Sequence, residues 1–282
     1  MSKTKSRIRE STLRYKHSLG QHFLYDEAIL AALVREAAVT EADDVLEIGP
    51  GCGSLTAPLC DAAGQVLAVE LDERLIPLLR GFLAEKKNLT LVQGDIMRQD
   101  LAALTEPLRK PFAVVANIPY YITTPLILRL LDSGLAFSRL ALMVQKEVAE
   151  KILSSPGEEG WGPLAIRCRY LCVPRMAMEV PAACFTPPPK VDSAFVVLTR
   201  REEPAVRVKS EEMLFRVAGA AFALRRKTML NNLCATFRAD RDQALGWMEK
   251  AGLDGKVRGE KLTLEELGAL ADVIAGEGER EA

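Results

Sequence analysis

Short apolar runs and helix-period segments alternate through the first two hundred positions. The runs are DVLEI (44–48), QVLAVEL (65–71), LTLVQGD (89–95), FAVVAN (112–117) and RLALMVQ (139–145). Between them lie ERLIPLLRGFLAE (73–85) and TTPLILRLLDSG (123–134), where apolar residues return every three or four positions. Near-continuous apolar strands separated by amphipathic helices predict an α/β fold, a parallel sheet covered on both faces. SAFVVLTR (193–200) closes this region, and the polar, proline-interrupted REEPAVRVKSEE (201–212) reads as a linker. Beyond it, 213–237 is predicted to be one helical stretch, with short helices around 240–275. The expected division is therefore a domain over 1–205 and a small helical domain over 206–282.

Each predicted strand carries its chemistry at the carboxyl end. DVLEI runs into EIGPGCGSLT (47–56), where Gly49, Gly51 and Gly53 surround a strand-to-helix turn. Glycines there let backbone approach a ligand at a helix N-terminus. The spacing is GxGxG with Pro50 inside it, which departs from the GxGxxG of dinucleotide folds. Glu70 ends the second strand, where a carboxylate accepts both hydroxyls of a ribose. Asp95, followed by Ile96, ends the third and is placed to accept an adenine amino group. An open α/β sheet binds ligands along this edge. An adenosine without a pyrophosphate fits best, which points to S-adenosylmethionine.

The fourth strand ends in NIPYYIT (117–123). The Asn117 side-chain carbonyl and the Ile118 backbone carbonyl form a pair of acceptors for an exocyclic amine. They would draw the nitrogen toward tetrahedral geometry and stabilise the positive charge that develops on it. Pro119 fixes the turn, and the Tyr120 ring offers a stacking surface for a flipped base. Tyr121 is expected to pack against the domain.

Composition narrows the chemistry. The only histidines are His17 and His22, which leaves little for a histidine metal site or a Ser-His-Asp triad, and no metal is expected. Six cysteines, none in a CxxC pair, read as small buried thiols of a cytoplasmic protein. No apolar run reaches membrane-spanning length, so no membrane partner is expected. The N-terminal SKTKSRIRESTLRYK has no apolar core for a secretory signal. Its basic residues 1–16 fit a solvated tail, a transit peptide or an RNA-touching arm. With a net charge of −1, any nucleic-acid contact must come from local patches. The densest basic run is Arg225, Arg226 and Lys227, inside a stretch from Met213 to Arg238 that has no acid; Lys190 and Lys146 would extend it.

Together these segments resemble a known family, the KsgA-type small-subunit ribosomal RNA adenine N6,N6-dimethyltransferases. The resemblance spans nearly the whole chain and rests on HSLGQHFL (17–24), EIGPGCGSLT, NIPYYIT, QKEVAEKI (145–152), FTPPPKVDSAF (185–195) and FALRRKTMLNNL (222–233). It implies a Rossmann-like class I methyltransferase sheet followed by a small all-α C-terminal domain. The implied reaction moves methyls from S-adenosylmethionine onto the N6 atoms of two adjacent adenines in a hairpin near the 3′ end of small-subunit rRNA. The implied substrate is an immature small ribosomal subunit in the cytoplasm, and the enzyme is expected to act as a monomer. By the same resemblance Gln21, Gly49, Gly51, Glu70, Asp95, Ile96 and Asn117 would hold the cofactor, with Leu24 beside it. Asn117, Pro119 and Tyr120 would form the amine site, and Phe185 would stack on the other face of the adenine. His22 stands where the family usually has asparagine; it is either a cofactor contact or a helix cap. Large-subunit rRNA methylases share NIPY and the glycine turn, but the RRKTMLNNL segment favours the small-subunit type.

Overall fold

The computed structural model describes residues 22–224 and 226–278. Gln21, Arg225 and the basic arm 1–16 lie outside the described residues. The chain divides into two compact units. One comprises the residues up to Ala149 together with Pro174–Arg200, and the other comprises Glu150–Val173 together with the residues from Arg201 onward.

A seven-stranded sheet forms from β2 (Asp44–Ile48), β3 (Gln65–Glu70), β4 (Leu89–Gln93), β5 (Phe112–Asn117), β6 (Phe137–Gln145), β7 (Cys172–Val180) and β9 (Ser193–Arg200), all of it in the first unit except Cys172 and Val173 at the start of β7. Their order is β4-β3-β2-β5-β6-β9-β7. The β2/β3, β3/β4, β2/β5 and β5/β6 pairs are parallel, and β9 runs antiparallel to β6. This is the Rossmann-like class I arrangement. Every residue of β2 is buried, as a central strand covered on both faces requires. The chain steps outward from β2 through β3 and β4 and then returns to β5 on the other side. That reversal makes a switch point between β2 and β5, where such sheets bind ligands.

The helices beside this sheet include α1 (Glu27–Glu36), α2 (Thr56–Ala62), α3 (Leu75–Phe82), α4 (Leu101–Leu104) and α5 (Thr123–Asp132). Asp26 caps α1 by accepting the Ala28 and Ile29 N–H groups at 3.0 and 3.1 Å. Leu30, Leu33 and Val34 of α1 pack with Leu59 of α2, with Val45, Ala113 and Ala141 of the sheet, and with Phe185. Three strands lie outside the predicted runs. β7 contains Pro174 and is half exposed, so it shows no period; as the last strand of the sheet it tolerates a residue without an N–H. β1 (Phe23–Leu24) pairs antiparallel with β8 (Phe185–Thr186), a contact between segments far apart in sequence.

The division after Ala149 falls within α6 (Lys146–Leu153). The second unit holds α7 (Pro163–Leu171), α8 (Glu211–Ala223), α9 (Met229–Phe237), α10 (Arg241–Lys250) and α11 (Leu264–Gly278). The helical unit therefore begins before the expected boundary at 205. Tyr170 of α7 donates to Glu211 of α8 at 3.0 Å, and Arg167 lies 3.8 Å over the Phe215 ring. The Trp161 indole N–H donates to the Leu262 carbonyl at 3.1 Å. The single helix expected over 213–237 is two. Leu224 leaves the helical region, and the Met229 N–H goes to the Val257 carbonyl at 2.8 Å rather than to the preceding turn. Thr228 then caps α9.

Candidate active site

A cavity of about 170 Å3 opens at the carboxyl ends of β2, β3 and β5. Gly49, Gly51, Glu70, Asp95, Ile96 and Asn117 line it, with Leu24 and His22 from the segment at β1. It thus gathers the predicted cofactor residues that are described. The glycine turn needs its glycines: Gly49 and Gly51 sit at φ +70° and +61°, and a Cβ on Gly51 would stand 2.9 Å from the Phe23 ring. The Gly49 N–H donates to the Val69 carbonyl at 3.0 Å, which ties the turn to β3.

Three carboxyl groups face the cavity. Glu70 accepts the Gly51 N–H on Oε2 at 2.9 Å and the Asp72 N–H on Oε1 at 2.8 Å. Burial raises its pKa, and these two amides oppose the rise. Asp95 accepts the Met97 N–H on Oδ1 at 2.9 Å, while Oδ2 is 3.6 Å from Arg98. Glu47, which the residue pattern alone does not single out, is buried on the cavity wall with Oε2 unpartnered among the described residues. Burial pushes its carboxyl up to about 8; the nearby Thr56 hydroxyl opposes this and the Glu70 charge adds to it. The signal was an acid in the middle of a wholly apolar run. Among the described residues no lysine or arginine lines the cavity. A carboxylate-rich wall without basic residues disfavours a pyrophosphate and suits a cationic ligand rich in hydroxyl and amino donors.

The amine side is built around Asn117. Its Nδ2 donates to the His22 carbonyl at 3.1 Å, which leaves Oδ1 as the remaining acceptor of the amide. Pro119 holds φ −56°, and its carbonyl accepts the Ile122 N–H at 3.1 Å, so the turn after β5 is rigid. Tyr120 lines the cavity, with its hydroxyl 2.7 Å from Ser193 Oγ. The His22 ring stacks on Tyr120 with centroids 5.5 Å apart and planes 26° apart. His22 does not cap a helix; its Nδ1 donates to the Pro187 carbonyl at 2.8 Å.

Two expectations are corrected. Phe185 is buried, lies opposite Leu24 in the β1/β8 pair and does not line the cavity, because that pairing turns its ring into the core. It offers no stacking face in this conformation. Tyr121 does not pack inside; it is 55% exposed at the cavity. Burial first, then the charges of Asp95 and Glu70, raise its pKa.

Of the basic residues, Arg226 and Lys227 are exposed in the connection between α8 and α9 rather than on a helix edge. Lys190 is exposed in the loop before β9. Lys146 pairs with Glu179 at 2.9 Å at the surface. Among the described residues no cluster of histidine, cysteine, aspartate or glutamate is arranged to hold a metal, and no helix is long and apolar enough to cross a membrane.

Comparison with known proteins adds to this geometry. A family model described as ribosomal RNA adenine dimethylase matches residues 12–275. The ribosomal RNA small subunit methyltransferase A of Streptococcus pneumoniae serotype 2 is 42% identical over 283 residues, covering 98% of each chain. Among solved structures, a dimethyladenosine transferase from Plasmodium falciparum superposes with a TM-score of 0.78 at 26% identity, over 91% of this chain and 98% of that one. The 23S rRNA methyltransferase ErmE superposes with a TM-score of 0.69 at 28% identity, over 90% and 99%.

Proposed function

The chain belongs to the ribosomal RNA adenine dimethylase family, and we propose that it methylates the N6 atoms of two adjacent adenines near the 3′ end of small-subunit rRNA. The near-full-length identity to small-subunit relatives supports that substrate over large-subunit rRNA. The natural substrate on this reading is an immature small subunit in the cytoplasm. One chain carries the cofactor groups and the amine groups around one cavity, which supports action as a monomer.

S-adenosylmethionine, when bound, supplies an electrophilic methyl on a sulfonium. The cavity fits that group: its acidic wall tolerates the positive charge, and the unpartnered Oε2 of buried Glu47 is open to a polar group of the ligand. Glu70 would take the ribose hydroxyls, Asp95 the adenine amino group, and Gly49 and Gly51 would let backbone approach, with Leu24 and Ile96 as apolar walls. Asn117 is the observation that carries the reading. One of its two amide N–H groups donates to the His22 carbonyl, which fixes the side chain so that Oδ1 accepts from the target amine and stabilises the cation forming on nitrogen. The acceptor sits on the rigid Pro119 turn, which removes the cost of orienting it. Tyr120 stacks on the flipped adenine. Exposed Arg226, Lys227 and Lys190 contact phosphates and position the RNA.

The test is labelled S-adenosylmethionine with undermethylated small subunits. Methyl transfer should fall roughly 100-fold or more in Asn117→Ala, the scale of losing one preorganised polar group, while RNA binding is kept. Equal transfer by the variant refutes the assignment.

A further inference from the structure

Tyr120 is held at two places by residues remote in sequence. Its hydroxyl meets Ser193 Oγ at 2.7 Å, and Ser193 is wholly buried at the start of β9, in register with Gln145 of β6. One face of its ring lies against the His22 imidazole at 5.5 Å, within the range of stacked aromatic pairs. Neither anchor is loose. The His22 ring is pinned by Nδ1–H to the Pro187 carbonyl at 2.8 Å, and the His22 carbonyl takes the Asn117 amide at 3.1 Å. We infer that His22 and Ser193 are positioning residues that clamp Tyr120, presetting its ring so that one face alone is open to the target base. The same histidine sets the Asn117 amide through its backbone, so the stacking surface and the amine acceptor are held in one register. This rests on the amine-site reading above and assigns His22 a role apart from cofactor contact.

The clamp explains how an aromatic ring beside an open cavity avoids collapsing into it. A free tyrosine would have to be ordered by the incoming base, which lowers the net gain of stacking. Here the ordering is done by β9 and the β1 segment before RNA arrives.

Two measurements on the full chain test this. In the first, a hairpin RNA carries 2-aminopurine at the target position, and its fluorescence reports stacking without any turnover. Quenching by the parent protein should be lost in Tyr120→Ala, strongly reduced in Ser193→Ala and His22→Ala, and only partly recovered in His22→Phe, which keeps a stacking ring but lacks the Nδ1–H that pins it. In the second, Tyr120→Phe and Ser193→Ala each remove one oxygen of the same hydrogen bond. Each should lower kcat about three- to tenfold, and the double variant no further, with cofactor Kd unchanged. Losses that multiply in the double variant, or quenching untouched in Ser193→Ala and His22→Ala, overturn the clamp. Quenching that survives Tyr120→Ala overturns the stacking role of Tyr120 itself, and the clamp with it.

Discussion

Glu70 grips the glycine turn: its Oε2 accepts the Gly51 N–H at 2.9 Å while Oε1 accepts the Asp72 N–H at 2.8 Å. The carboxylate proposed to take the ribose is thereby also the brace of the loop that would lie beneath the cofactor. Glu70→Gln places an NH2 against one of these backbone donors and leaves a buried amide unpaired, at about 1–3 kcal/mol. Cofactor affinity measured by calorimetry should drop at least roughly tenfold, and the Tm should fall as well. A variant with unchanged affinity would separate Glu70 from the ribose.

Glu47 gives the protein a pH signature. Its ordinary value near 4.5 is raised in the fold to about 8, so the fold favours the protonated carboxyl. That stability is complete below about pH 4.5 and is lost as pH climbs through about 8. Glu47→Gln removes the titration. The Tm of the variant minus that of the parent should therefore widen across this interval, by about 5 °C or more. A cationic ligand favours the carboxylate, so cofactor binding to the parent should tighten as pH rises toward 8 and the variant should lose that dependence. Thermal melts and calorimetry at stepped pH check both; parallel pH curves for the two proteins would show that Glu47 is not the group responsible.

On the proposed reading, the basic connection between α8 and α9 sets the salt dependence of RNA binding. Replacing Arg225, Arg226 and Lys227 together with alanine should weaken association and flatten the plot of log affinity against log salt. Each lost phosphate contact takes roughly 0.7–0.9 from the slope. Filter binding across a salt series measures this, and an unaltered slope would move the RNA surface elsewhere on the chain.

Much of the site is legible without coordinates, and for a physical reason. A buried parallel strand declares itself by a dense apolar run, and the residues just after it must lie at the sheet edge. The positions of Gly49, Glu70, Asp95 and Asn117 around one cavity come from that rule alone. Glu47 escapes it by sitting inside such a run, where an acid reads as an exception rather than as a cavity wall. The aromatic character of Tyr121 suggests packing, yet its ring projects outward beside Asp95.

Residue order by itself settles local matters: the period of the central strands and amphipathic helices, the groups at their strand ends, and the acids and glycines that suit an adenosine cation. Tertiary structure decided everything that depends on who lies opposite whom. The β1/β8 pairing buried Phe185, the Val257 carbonyl took the Met229 N–H where the long C-terminal helix was expected to continue, and His22 and Ser193 closed on Tyr120. Those partners are separated by tens to more than a hundred residues. Their meeting is fixed by packing and by the need to pair every buried polar group, neither of which leaves a periodic trace along the chain.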